Sequence, residues 1–218
     1  MKSFFFLFLS MIVSTCGVFA QTKNIANLKL WYNKPASAWE EAMPLGNGKT
    51  GAMIFGGIAK ERFALNDNTL WSGFPDGGNN PDGPKYLPQV RQQIFAENWD
   101  SATLLWKKMQ GPYSARYLPL ADLWLTAKSK DSTTTSYYRD LDLNTATSLV
   151  KYTINGVTYT RETFISYPDK VMVLKITANK KGALNFSTAL TSKLKFKTNT
   201  PTHNYLVLRG KAPKFVAN

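Results

Sequence analysis

Alternating hydrophobic and polar positions run through most of the chain and predict short β-strands. In a strand, successive side chains point to opposite faces, so this alternation is typical of strands with one buried face. Turn residues separate the runs at intervals of about ten to twelve residues, the spacing of a β-sandwich. The predicted strands cover residues 28–32, 52–55, 62–65, 123–125, 150–154, 157–161, 171–176, 184–190 and 205–208.

The strongest turn signal is the dipeptide Asn155-Gly156 between two alternating runs. A type I′ turn needs positive φ at both central positions, which Asn and Gly tolerate best. We therefore predict a tight hairpin here. The polar segment 128–136 predicts a loop, and Lys195 and Lys197 predict the solvent face of a strand because they flank Phe196.

One region changes to a helical period. Leu87, Val90 and Ile94 share a face, with Pro88 expected near the helix start, where its missing N–H costs little. A second helix is expected to be capped by Asp100 or Ser101, with its inner face formed by Ala102, Leu105 and Met109. The predicted fold is therefore mainly β, a sandwich with a short helical insertion near 86–110.

The stretch 43–73 concentrates polar chemistry at strand ends. Two hydrophobic strands deliver a Gly/Asn loop at 44–51 and an Asn/Asp/Trp loop at 66–73. Polar groups on loops held by rigid strands commonly carry function. The candidates for binding substrate or facing another domain are Asn47, Asn66, Asp67 and Trp71.

The same four residues have a purely structural interpretation. Asx side chains stabilise their own loops, and such loops also pack between domains. The tryptophans have a core interpretation as well, since most large aromatics of a sandwich are buried. We expect most to be core, and Trp71 is the expected exception because it leaves a polar loop. The others considered are Trp39, Trp99, Trp106 and Trp124.

The net charge of +13 permits binding to nucleic acid or to an anionic surface. The lysines are scattered, however, and only Lys107-Lys108 and Lys180-Lys181 are adjacent pairs. A solvated basic surface is therefore the favoured interpretation, and no nucleic-acid partner is predicted.

Residues 1–20 combine a positive start, an apolar run and a small-residue end, which predicts a secretory signal peptide cleaved after Ala20. An uncleaved membrane anchor is less favoured because the apolar run is short. Lipoprotein anchoring at Cys16 is also less favoured, since Thr15 is bulky for the preceding position. The predicted mature chain, 21–218, then has no cysteine, is secreted or periplasmic, and has no membrane span.

Most catalytic constellations are excluded by the residue inventory. His203 is the only histidine, so a Ser-His-Asp or Cys-His set lacks its base unless this loop residue supplies it. No metal site and no cofactor are predicted. Glu40, Glu41 and Asp67 are carboxylates near the two loops, and a positioned pair could hydrolyse a glycosidic bond. All three also fit loop-stabilising or solvated roles.

Seven motifs stand in order along the chain, at 39–48, 51–57, 65–73, 87–91, 117–123, 138–143 and 156–162. Together they closely resemble the N-terminal region of glycoside hydrolase family 95, the α-L-fucosidases. Minor departures are Phe63-Ala64 and Lys49-Thr50, where the family tends to have Ile-Gln and Arg-Leu. They affect strand faces and one loop only.

The resemblance implies a β-super-sandwich and a role beside a separate catalytic domain. The family's chemistry is done in a helical (α/α)6 barrel, where a glutamic acid protonates the leaving oxygen and an aspartate activates water, with inversion. No catalytic residue can be carried over, so the predicted catalytic set is none. The expected partners are a fucosylated oligosaccharide or polysaccharide and the barrel, and the expected domain, 21–218, is a truncated fragment, incomplete at its C-terminal end.

Two functional hypotheses follow. The first is that the chain is the N-terminal portion of a secreted inverting α-L-fucosidase, with the fragment alone inactive. The alternative is a non-catalytic carbohydrate-binding or structural β-sandwich module.

Overall fold

The structure, a computed structural model, describes residues 28–73, 78–112, 115–128, 133–214 and 216. Strands hold 44% of the residues and helices 15%, so the predicted mainly-β class with a helical insertion is confirmed. The predicted signal peptide at 1–20, including Cys16, lies outside the described residues. No helix in the described ranges is both long and apolar enough to span a membrane.

Twelve strands, two α-helices and one 3₁₀ turn make up the described fold. The 3₁₀ turn is Trp39–Glu41, and the helices are α1 (Gly83–Phe95) and α2 (Trp99–Met109). The strands are β1 (Lys29–Tyr32), β2 (Met43–Gly46), β3 (Thr50–Ile54), β4 (Lys60–Asp67), β5 (Ala121–Ala127), β6 (Thr134–Asp142), β7 (Thr147–Ile154), β8 (Val157–Ile165), β9 (Met172–Ala178), β10 (Phe186–Thr191), β11 (Lys195–Asn199) and β12 (Val207–Lys211).

The strands form two five-stranded antiparallel sheets and a separate pair. Sheet A has the order β1-β6-β7-β8-β9, sheet B has the order β10-β5-β4-β3-β2, and β11 pairs with β12. The β7–β8 hairpin turns at Asn155 and Gly156, whose φ angles of 50° and 75° fit the predicted type I′ turn.

The core lies between the two sheets. Sheet B contributes Met43, Ile54 and Phe63, and Leu141 comes from sheet A; these side chains are 1–4% exposed. Because side chains alternate along each strand, the residues between them on sheet B point to the opposite, outer face. That outer face is where the candidate site lies.

The helical insertion is confirmed, but its local chemistry differs from the prediction. Helix α1 begins at Gly83, so Pro84 occupies the first turn and Pro88 lies inside the helix. Asn98 is the N-cap residue of α2, and the predicted cap at Asp100 or Ser101 is wrong. Asp100 instead lies in the first turn, where a carboxylate interacts favourably with the positive end of the helix dipole.

Two boundaries also move. The predicted loop 128–136 is too long, because β6 begins at Thr134 and pairs with β7 from its first residue. The lysines of β11 are solvent-exposed as predicted, but so is Phe196 between them, and all five residues of this strand are exposed. In the other strand of this small sheet, β12, Val207 and Leu208 are half-buried, so no described residue of the pair is fully buried.

Candidate functional site

Asn47 organises the turn between β2 and β3. Its side-chain oxygen accepts hydrogen bonds from the backbone amides of Lys49 (3.0 Å) and Thr50 (2.8 Å). Its amide nitrogen donates to the carbonyl of Ser166 at 2.8 Å, which ties sheet B to the β8–β9 turn of sheet A. Every polar atom of this side chain is therefore used inside the fold, as the structural interpretation expects.

Asp67 organises the loop that follows β4. Its carboxylate accepts from the Thr69 amide at 2.9 Å and from the Thr69 hydroxyl at 2.5 Å. These bonds, chiefly the one from the hydroxyl, lower the pKa of Asp67 below its usual range. The carboxylate is ionised at neutral pH, so it acts as an acceptor and not as a general acid.

The two predicted loops lie side by side at one end of sheet B. Asn68 joins them, since its amide donates to the Lys49 carbonyl at 2.8 Å and its side chain donates to the Gly48 carbonyl at 2.9 Å. The structure therefore brings the 44–51 and 66–73 loops together. This follows from the antiparallel pairing of β3 and β4, which places the start of β3 beside the end of β4. We call these two loops the end loops.

Trp71, in the second end loop, packs against Tyr117, which lies shortly before β5. The two residues pair across an isolated β-bridge, and their rings meet edge to face with centroids 5.1 Å apart. The Trp71 indole donates to the Asn68 carbonyl at 2.8 Å, and Tyr117 donates to the Asp67 carbonyl at 3.1 Å. Trp71 is 49% exposed, so about half of this residue faces solvent.

The expectation that most tryptophans are core is wrong. Five of them are about half exposed or more, and Trp71 is not an exception among them. Only Trp124 is half-buried, on the outer face of sheet B. The physical reason is that the inner faces are filled by aliphatic residues and Phe63, and the exposed tryptophans lie on the helices, on turns or on an edge strand. The exposed ones are Trp31, Trp39, Trp71, Trp99 and Trp106.

A groove of about 500 Å³ crosses the outer face of sheet B beside the end loops. Asn66, the remaining predicted site residue, lies on its floor and is exposed. We call it the sheet B groove, defined by Trp39, Met53, Arg62, Asn66, Tyr117 and Asp122.

Arg62 and Asp122 form the polar centre of this groove. Arg62 Nε lies 2.8 Å from one Asp122 oxygen and Nη2 lies 3.2 Å from the other, a two-point contact between neighbouring strands. Their side chains are 32% and 20% exposed, so both partners also face solvent. The Arg62 guanidinium further lies 4.9 Å from the Phe55 ring centroid.

Two of the three carboxylates considered for catalysis, Glu41 and Asp67, are engaged in local hydrogen bonds. Glu41 accepts from the Ser37 amide at 2.7 Å and from the Ser37 hydroxyl at 2.9 Å, and these bonds lower the pKa of Glu41. Asp67 is held by Thr69 as described above. Within the described ranges, no three histidine, cysteine, aspartate or glutamate side chains come together to hold a metal ion.

Sequence reasoning missed the groove residues Trp39, Arg62, Tyr117 and Asp122. The alternation along β4 indicates part of this set, because Arg62, Ala64 and Asn66 alternate with inward-facing residues and so share the outer face. The missing information was which strands are neighbours, because β4 and β5 are separated by the helical insertion and their pairing is not local.

The two packed sheets define a β-sandwich domain, and comparison with known proteins identifies its family. The family model described as "Glycosyl hydrolase family 65, N-terminal domain" matches residues 30–217, and the chain belongs to this family. This is the N-terminal domain that family 65 shares with family 95, so the resemblance found in the sequence is confirmed.

Relatives of this chain carry fucosidase names. Alpha-L-fucosidase 2 of Arabidopsis thaliana is 38% identical over 186 residues, which is 84% of this chain and 22% of that protein. The probable alpha-fucosidases A of Aspergillus niger and Aspergillus oryzae are each 34% identical, over 69% and 67% of this chain and 20% and 21% of their own lengths. The chain thus spans about a fifth of the length of the curated relatives it matches.

Proposed function

We propose that this chain is the N-terminal β-sandwich portion of a secreted, inverting α-L-fucosidase that removes terminal α-L-fucose from glycans. The observation that carries the proposal is the 38% identity with alpha-L-fucosidase 2 along 84% of this chain. The catalytic acid and base belong to another part of the parent protein. This agrees with Glu41 and Asp67, whose carboxylates are engaged in local hydrogen bonds.

In this proposal the sandwich supports the catalytic part and contributes one surface to it. The end loops, with Asn47, Asn66, Asp67 and Trp71, are the surface that faces the catalytic domain or its glycan. What supports this assignment is their rigidity. Asn68 bonds one loop to the other, and Asn47 fixes both to sheet A through Ser166.

The test uses the complete gene product that carries this chain, incubated with 2′-fucosyllactose. Proton NMR of the first product identifies both the sugar and its anomer. The proposal expects β-L-fucose to appear first, because inversion converts the α-linked sugar into the β-anomer. If no fucose is released, the proposed activity is contradicted. If the α-anomer appears first, the proposed inversion is contradicted.

The signal peptide proposed for residues 1–20 has its own test. Expression of the full sequence in a secreting host is expected to give a mature protein whose N-terminus is Gln21, as read by mass spectrometry. A protein that keeps residues 1–20, or that carries lipid at Cys16, would contradict the proposed processing.

A further inference from the structure

The sheet B groove has an aromatic wall held in place by buried contacts. Trp39 is 57% exposed, and it lies in the 3₁₀ turn that precedes β2. Arg139, which is 1% exposed, donates to the carbonyls of Lys34 and Glu41, both at 2.8 Å, and so fixes both sides of this turn. The backbone that carries Trp39 is therefore held in place, and its exposed indole offers a flat stacking surface to a ring-shaped ligand.

The floor of the groove offers directional hydrogen bonds. Arg62 uses two of its donors on Asp122, and a guanidinium has five, so donors are left for a ligand. The Asn66 side chain is exposed and presents both a donor and an acceptor. Donors and acceptors side by side on a rigid strand pair match the adjacent hydroxyl groups of a sugar.

The charge of the groove favours a neutral ligand. Asp122 neutralises Arg62, with 2.8 Å between the charged groups. Among the residues that line the groove, only Lys193 is then a cation without a carboxylate beside it in the same lining. The chain carries +13 overall, but phosphate recognition would need cations that are not already paired. The volume of about 500 Å³ lies within the usual range of small-ligand sites, about 300–1,000 Å³.

We propose that the sheet B groove binds a pyranose ring of a neutral oligosaccharide, with Trp39 stacking on the ring and with Arg62, Asp122 and Asn66 bonding its hydroxyl groups. The inference rests on the proposed function for its ligand class, since a fucosidase acts on neutral glycans. It adds a binding site on the sandwich itself, which works without the catalytic part.

The test titrates this chain with 2′-fucosyllactose and with lactose, using calorimetry and tryptophan fluorescence. We expect saturable binding with a dissociation constant on the order of 1 mM. Trp39→Ala removes the wall and should weaken binding at least about tenfold. Ala64→Phe should do the same, because Ala64 points outward into the groove and the larger ring fills it.

Trp99→Ala is the matched control, since Trp99 is 63% exposed and lies on α2, away from the groove. It should bind as the wild type does. All variants are first compared by thermal melting followed by circular dichroism. If one groove variant does not fold, the other still tests the inference. No saturable binding of either sugar would overturn the inference. So would groove variants that bind normally, a Trp99→Ala variant that loses binding equally, or salt-sensitive binding of heparin alone.

The outcome is separable from that of the proposed function. If this chain binds lactose while the complete gene product releases no fucose, the groove stands and the fucosidase proposal fails. If the gene product releases fucose while this chain binds neither sugar, the fucosidase proposal stands and the groove inference fails.

Discussion

Glu61 Oε2 lies 2.9 Å from Arg161 Nη1 between the two sheets, and the two side chains are 0% and 5% exposed. The other Glu61 oxygen accepts from the amides of Gly56 (2.8 Å) and Arg62 (3.0 Å). Burial raises the pKa of Glu61 even though Arg161 and the backbone hydrogen bonds oppose the rise. This pair joins the two sheets, and Glu61 also binds the backbone amide of Arg62, whose side chain lines the groove.

Removing one partner of this ion pair should lower the free energy of unfolding strongly, and replacing both partners should lower it less. Glu61→Leu or Arg161→Leu alone leaves one buried charge unpaired and is expected to lower the free energy of unfolding by about 3–5 kcal/mol. The double variant should lose clearly less than the sum of the two. Urea unfolding of all four proteins measures this, and additive losses would contradict the coupling.

Acid stability should depend on the bond between Asp67 and Thr69. A carboxyl whose folded pKa is lowered stabilises the fold above its unfolded pKa, near 3.8, and this stability is lost as the pH falls through the folded pKa. Thr69→Ala removes the hydroxyl, so the pKa of Asp67 should rise toward 3.8. Carbon-detected NMR titration of the Asp67 carboxyl measures it, and an unchanged pKa would show that the hydroxyl has no such effect.

Two glycines with similar backbone angles should respond differently to substitution. Gly56 has φ 74° and Gly156 has φ 75°. A Cβ at Gly156 meets nothing within 4 Å, whereas one at Gly56 would lie 2.3 Å from the Tyr137 hydroxyl and 2.9 Å from Arg139. Gly156→Ala should therefore cost only the left-handed strain, about 1–2 kcal/mol, and Gly56→Ala clearly more.

Each of these two variants is the control for the other, since both add the same methyl group at a similar φ angle. Thermal and urea unfolding give the two free energies. Equal losses would mean that the Tyr137 hydroxyl, which donates to the Gly56 carbonyl at 2.7 Å, moves away without cost.

Arg139 should position the groove wall as well as stabilise the fold. Arg139→Lys keeps the charge but cannot reach both carbonyls with a planar fork, and it also loses the packing on Tyr32, whose ring centroid lies 4.1 Å away. We expect a loss of about 1.5–3 kcal/mol in unfolding free energy. Sugar binding should also weaken in the folded variant, and normal binding would contradict the positioning role.

The sequence predicted what depends on local pattern. The alternation in β7 and β8 and the Asn155-Gly156 turn were enough for that hairpin, and the adjacency of β3 and β4 was enough to bring the end loops together. The pairing of β4 with β5 joins residues about sixty positions apart across the helical insertion, as Arg62 and Trp124 show. No local pattern specifies that register, so the Arg62–Asp122 pair and the groove were missed.

The tryptophans were misplaced for a related reason. A large aromatic side chain favours burial, but burial also requires space on an inner face. Those faces are occupied by Met43, Ile54, Phe63 and Leu141, which are smaller than tryptophan and stand at the inward-facing positions of their strands. Residue type alone could not show that Trp39 lies on a turn against the outer face of sheet B.

The most direct test of the account is the release of L-fucose from 2′-fucosyllactose, measured side by side for the complete gene product and for this chain alone. The account predicts release by the complete gene product and none by this chain, because the proposed catalytic acid and base belong to another part of the parent protein. A complete gene product that releases no fucose would contradict the account, and so would fucose release by this chain alone.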